Sequence, residues 1–210
     1  MDNTHRPGLG VAALMTAAML VAPPAAAQPV PLFPAQVSQN NIDCLFGVGA
    51  QCTVTPHDEA TSIPMGSISG NAVLHSRTFL GPADSRAPGR TAYQYRIDLT
   101  NATALGDTAC IDNLSVRFGP VAKLPYAPGV ILRDVYEIRQ GVPASQVGFV
   151  SASQTGDVVT FTFAPGQFCA GASSVAFVLA SLDEPVRGVH VKIDASGQED
   201  IQVKSFGPRR

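Results

Sequence analysis

Three adjacent residues, His57-Asp58-Glu59, carry the side chains that acid–base and metal chemistry most often use. An imidazole beside two carboxylates supplies a base with an orienting partner, or one nitrogen and two oxygens for a metal ion. Either use requires the three groups to converge. On an extended chain, successive side chains point to opposite sides. The trio lies between Pro56 and Ala60. The sequence therefore reads as a solvated loop, with His57 as a candidate ligand contact. A hydrolase using His57 with Asp58 or Glu59 is the alternative.

The other candidates are scattered. His75 shares a strand parity with Val73, Arg77 and Phe79 and is expected to be partly buried and hydrogen-bonded, not a ligand. His190 falls on the polar parity of its run and is expected to face solvent. Carboxylates pair at Asp183-Glu184, at Glu199-Asp200, and at Asp107 with Asp112. Calcium takes such oxygens, but none of the pairs follows a recognised loop pattern, so they read as surface charge. Trp is absent. The best remaining aromatic for stacking a sugar is Tyr126, in Leu124-Pro125-Tyr126-Ala127-Pro128, and its competing reading is packing over a sheet edge.

Several catalytic signatures are missing. There is no H-E-x-x-H, Walker loop or dinucleotide fingerprint. Gly66-Ser67-Ile68-Ser69-Gly70 resembles G-x-S-x-G only superficially, because Ile68 stands where the nucleophile belongs. No Lys has a Ser three residues before it. The reading assigns no catalytic residue, no metal ligand and no cofactor. Two glycosylation sequons, Asn101-Ala102-Thr103 and Asn113-Leu114-Ser115, matter only in a eukaryotic source.

The four cysteines are Cys44, Cys52, Cys110 and Cys169. An even number in an exported chain predicts two disulfides, and the spacing contains no C-x-x-C of the zinc type. Of three connectivities, Cys44–Cys52 with Cys110–Cys169 is preferred. The first closes a short loop containing Gly47 and Gly49, which permit a tight return.

Export is itself read from the first 27 residues. His5 and Arg6 give a weakly basic start, Val11 to Val21 is apolar apart from Thr16, and Ala25-Ala26-Ala27 offers small residues for cleavage before Gln28. The apolar run is too short for a membrane anchor, since eleven residues rising ~1.5 Å each cover about 17 Å of a ~30 Å hydrocarbon core. No integral membrane segment is expected after cleavage. The protein is thus expected to be secreted or periplasmic, and its Ala- and Pro-rich style to be bacterial. Net charge is −2, charged residues make up 14%, and Lys occurs only at 123, 192 and 204. No clustered cationic face exists for nucleic acid or for anionic membranes.

The elements behind these residues are strands. Tyr93, Tyr95, Ile97 and Leu99 alternate with Gln94, Arg96, Asp98 and Thr100, which is a period of two. Similar alternation marks residues 114–118, 159–163, 189–193 and 201–204, whereas Val175 to Leu182 is apolar on both faces and reads as a central strand. Turn residues at Gly156-Asp157 and Ser196-Gly197 predict hairpins. About nine short strands with one-sided alternation predict an all-β, antiparallel two-sheet β-sandwich, immunoglobulin-like or jelly-roll-like, with little or no helix. Val142–Val147 is the one stretch that suggests a helical turn. The expected divisions are a signal at 1–27, a proline-containing arm and short Cys loop at 28–66, a sandwich domain at 67–206 and a tail at 207–210.

Function is expected from this to be non-catalytic binding or surface association with an extracellular ligand or protein. Besides the hydrolase, a structural subunit of an extracellular assembly is an alternative. There the arm, residues 28–40, would self-associate by adding a strand to a neighbour's sheet.

Overall fold

The computed structural model describes residues 27–106, 109–126, 131–140 and 146–210. The expected signal, apart from Ala27, lies outside the described residues, as do Asp107 and most of the helical turn expected at 142–147.

Fourteen strands and one short helix are present among the described residues. Sheet 1 contains β1 (Val30–Pro31), β10 (Phe149–Thr155), β11 (Val158–Phe163), β6 (Ile111–Arg117), β13 (Pro185–Ala195) and β14 (Gln198–Pro208), in that spatial order. Sheet 2 contains β2 (Pro34–Ser38), β9 (Val135–Gln140), β12 (Ala176–Ser181), β5 (Thr91–Ala104), β4 (Ile68–Leu80) and β3 (His57–Ser62). A separate ribbon pairs β7 (Leu124–Tyr126) with β8 (Ile131–Arg133). This is the expected all-β sandwich. Its neighbours are antiparallel except β2 and β9, which run parallel. The expected count of about nine strands falls short because β1, β2, β3, β7 and β8 are short or proline-containing and carry little period-two signal.

Alternation works as the sequence predicts. Tyr93, Tyr95, Ile97 and Leu99 of β5 are all fully buried between the sheets. There they meet Leu114, Val116, Phe161 and Phe177 in the main core. Phe161 and Phe177 stack across the interface at 4.2 Å between ring centroids. The buried tyrosines keep hydrogen bonds, Tyr93 Oη donating to the Asp183 carbonyl and Tyr95 Oη to that of Phe206, both at 2.9 Å. Gly156 turns β10 into β11 at φ +57°, a conformation that glycine adopts without strain.

Residues 28–66, expected as an extended proline-containing arm and a short Cys loop, supply edge strands to both sheets. β1 and β2 pair within the chain's own two sheets, and β3 forms one edge of sheet 2. The boundary expected at residue 67 therefore does not separate the sandwich from what precedes it. Between β2 and β3 lies α1 (Gln39–Phe46), a helix that the sequence reading did not anticipate. Ser38 caps it, its Oγ accepting from the Asn41 amide at 3.2 Å. Val37 just before the cap and Ile42 in the first turn are both fully buried in one cluster, the arrangement of a hydrophobic staple. Ile42, Leu45 and Phe46 share the buried face.

That face covers half of the outer side of sheet 2 and makes a second, smaller core with Phe79, Ala92, Tyr136, Ile138 and Val178. Phe46 meets Phe79 edge-on at 5.4 Å. A third layer on this half explains β12, in which all six residues are buried. Phe177 and Leu179 face sheet 1, while Ala176, Val178 and Ala180 belong to the smaller core that α1 and Leu124 share.

Both expected disulfides are present, Cys44–Cys52 and Cys110–Cys169. They fit a protein of an oxidising compartment. Among the described residues, no helix is long and apolar enough to cross a membrane.

Candidate functional site

β3 decides the fate of the His57-Asp58-Glu59 trio. It pairs antiparallel with β4, placing His57 opposite Thr78, Asp58 opposite Arg77 and Glu59 opposite Ser76. Alternation turns Asp58 away from His57 and Glu59, although Glu59, whose Oε2 is buried without a partner, borders the same polar groove as Asp58. Asp58 accepts two hydrogen bonds from Arg77, Nε to Oδ1 at 2.6 Å and Nη2 to Oδ2 at 3.2 Å. His57 instead lines a different cavity. The three groups do not converge, and no base with an orienting carboxylate is assembled from them.

The cavity at His57 is a cleft of about 630 Å³ at the end of sheet 2. One wall is the segment closed by the Cys44–Cys52 bridge. Here Val48 and Thr53 exchange backbone hydrogen bonds at 3.2 Å, forming a miniature hairpin directly after α1. Gly47 is needed at its start, because a Cβ there would lie within 2.7 Å of backbone atoms of Cys52 and Asp43. Phe46, Val48 and Val54 come from this side. Phe79, Leu80 and Pro82 from the end of β4, with Pro185 from β13, make the opposite surface. Polar groups make up nearly half of the lining: Thr53, Thr55 and His57 at alternate positions, the buried Thr78 and Thr91, and Glu184. Leu80 is 61% exposed, so apolar surface lies open to solvent at the entrance.

A second, polar groove of about 520 Å³ occupies the half of the outer face that α1 leaves uncovered. His75 and Arg77 of β4 lie beside Arg96 and Gln94 of β5, in register. Asp58 bounds the group on one side, and Gln39 of α1 on the other. Arg96 Nη2 donates to Asp98 Oδ2 at 2.8 Å. Burial pushes the Asp98 carboxyl up, but hydrogen bonds from the Thr100 hydroxyl and amide and from Arg96 outweigh it, so its pKa lies below the ordinary value. His75 Nε2 is 4.0 Å from the same carboxylate and its side chain is about half exposed.

His190 is exposed. Tyr126 sits in β7 opposite Ile131, and its side chain lies outside the described residues, as does that of Glu199. Of the carboxylate pairs, read as surface charge, Asp183 meets Arg210, Glu184 meets Arg209 and Asp200 meets Lys192, while Asp112 accepts a hydrogen bond from the Ser196 hydroxyl. Among the described residues, no three His, Cys, Asp or Glu side chains are grouped to hold a metal ion.

Sequence reasoning named His57 as a candidate ligand contact and gave no signal of the apolar surface around it. Phe46, Val48 and Val54 belong to a stretch without clear period, and Phe79 reads as one more core residue of a strand. The shared parity of His75 with Arg77 and of Gln94 with Arg96 was visible, but the register that puts the two pairs together was not. No protein-family model, curated protein or solved structure matches this chain.

Proposed function

We propose that this is an exported, non-catalytic binding protein whose β-sandwich holds a small ligand with an apolar body in the cleft beside the Cys44–Cys52 hairpin. The observation that carries the reading is that cleft. Its volume, about 630 Å³, falls in the ~300–1,000 Å³ range of small-molecule sites, and its lining combines Phe, Val, Leu and Pro side chains with four threonines, His57 and Glu184. His57 supplies a hydrogen-bonding group at the mouth. The divergence of His57 from Asp58 favours binding over hydrolysis. Pairing of β1 and β2 inside the chain's own sheets favours it over assembly through the arm.

Titration of the mature protein with an apolar fluorescent probe, N-phenyl-1-naphthylamine, tests the reading. Saturable binding with one site per chain is expected. Leu80→Glu places a charge at the entrance, where the wild-type side chain is mostly solvated, so the fold is retained. It is expected to weaken the probe roughly ten-fold or more, the equivalent of ~1.4 kcal/mol or more of lost apolar contact. Non-saturable binding, or equal binding by Leu80→Glu, refutes the assignment.

A further inference from the structure

The two disulfides sit in different surroundings, and one of them holds a wall of the cleft. We propose that Cys44–Cys52 is a thiol-exchange site for a dithiol reductant and the gate of that cleft, an inference that rests on the cleft reading for its ligand. Intact, the bridge keeps the wall against the ligand. Opened, it lets the wall move away and affinity falls.

The wall is Val48, Thr53 and Val54, carried by the hairpin that follows α1. Val48 and Thr53 exchange two backbone hydrogen bonds, and the Cys52 amide donates to the Gly49 carbonyl, each at 3.2 Å. All three bonds stay inside the hairpin. Among the described residues, no hydrogen bond joins residues 48–56 to either main sheet. Gly49, Ala50 and Gln51 at the tip are exposed. Val54 packs on the smaller core. Beyond that packing, the covalent link to Cys44 in α1 is what holds the hairpin down.

Reactivity follows from position. Exposed or strained disulfides are the labile ones. Cys44 and Cys52 are both half-buried. Cys52 is held at φ +53°, in the left-handed region that a residue with a Cβ rarely adopts. Opening the ring that contains it frees Cys52 to return to extended backbone.

Cys110–Cys169 is the opposite case. Cys110 is 1% exposed, although Cys169 is half-buried. The two residues face each other as an antiparallel pair. Backbone hydrogen bonds flank them, from the Ile111 amide to the Phe168 carbonyl at 2.8 Å and from the Ala170 amide to the Ala109 carbonyl at 2.9 Å. Those bonds keep the two sulfurs adjacent after reduction, so this bridge re-forms readily.

The exchange balances. A thiolate of the reductant attacks Sγ of Cys44 or Cys52, the S–S bond breaks as a mixed disulfide forms, and the released cysteine thiolate takes up a proton. The reductant's second thiol then displaces the other cysteine, which leaves two protein thiols and an intramolecular disulfide in the reductant. Two electrons and two protons pass from the dithiol to the protein. Once the bridge is open, the hairpin and the end of the eight-residue α1 unfold locally, while the sheets stay intact.

The test equilibrates the mature protein with graded ratios of reduced to oxidised dithiothreitol, quenches samples by alkylation, and maps both bridges by peptide mass spectrometry. Affinity for N-phenyl-1-naphthylamine is measured at the same ratios. Cys44–Cys52 is expected to open at a ratio at least about ten-fold lower than Cys110–Cys169. Probe affinity should fall about ten-fold as it opens and recover on reoxidation. A double variant, Cys44→Ser with Cys52→Ser, should bind at the lower affinity whatever the ratio, until Cys110–Cys169 opens. If that variant does not fold, the wild-type titration decides by itself. Saturable binding that is unchanged once Cys44–Cys52 has opened overturns the gate and leaves the cleft reading standing. Absence of saturable binding by the fully oxidised protein refutes the cleft reading, and the gate with it. Opening of Cys110–Cys169 first, or of both bridges together, overturns the assigned reactivity.

Discussion

Replacing Phe46 by Ala probes the helical cap and the cleft together. Phe46 is fully buried under α1, packs edge-on against Phe79 at 5.4 Å, and also lines the cleft. Truncating a buried Phe costs about 3–5 kcal/mol, which includes the cavity left behind. An aromatic pair contributes about 0.5–1.5 kcal/mol beyond its area. α1 has only eight residues and is too short to persist without its packed face. The loss is therefore expected to fall first on the cap, with the two main sheets retained. If the cap opens as its own unit, the measured cost levels off at the free energy of that opening. Hydrogen exchange separates the cases. Amides of α1 and of the Val48–Thr53 hairpin are expected to lose protection, while those of β5 and β11 keep it until global unfolding. Global stability, followed by guanidinium denaturation, should fall by at least ~2 kcal/mol if the cap is coupled to the sheets. Probe binding in the cleft should weaken in either case. Phe161→Ala, in the main core, gives the contrast: a comparable loss of global stability with no selective deprotection of α1. The reasoning is refuted if Phe46→Ala leaves both α1 protection and probe binding at wild-type values.

Three further outcomes follow from the same packing. Removing the Cys110–Cys169 bridge as a double Ser variant should cost about 4 kcal/mol and removing Cys44–Cys52 about 2.5 kcal/mol in a chain-entropy treatment, because the first closes a separation of 59 residues and the second one of 8; equal losses in denaturant melts would contradict this. Gly47→Ala forces a methyl into backbone atoms of Cys52 and Asp43 and should destabilise the α1 cap by ~2 kcal/mol or more, so a melt indistinguishable from wild type would show that the turn yields easily. Asp98 has a folded pKa below its unfolded value, so its contribution is present above the unfolded carboxylate range and disappears as pH falls through the folded pKa. Asp98→Asn should therefore lower the melting temperature at neutral pH and converge with wild type in acid. A difference that stays constant between about pH 7 and about pH 2 would refute that linkage.

The alternation of Tyr93, Tyr95, Ile97 and Leu99 determined on its own that β5 is a strand with one buried face. Local stereochemistry is enough for that, because side chains two apart on an extended chain must share a side. Four cysteines, with two close in sequence, were likewise enough to suggest the pairing now found. The apolar run around Val175 to Leu182 announced a strand buried on both faces, but not what would cover it. Part of the cover is α1, whose apolar residues at 42, 45 and 46 fit a single short turn pattern beside prolines and a cysteine loop. Such a segment has too few residues to signal its period, and its stability comes from the sheet beneath it.

The sites were decided by tertiary structure alone. Gln39, Asp58, Arg77, Arg96, Ile138 and Ala176 meet because six elements distant in sequence share one face. The same pairing separates His57 from Asp58, which are neighbours in the chain, and gives them to different cavities. A strand carries its residues to opposite sides by geometry, so adjacency in sequence argued against convergence here, and only the register of β3, β4 and β5 could say what each side would meet.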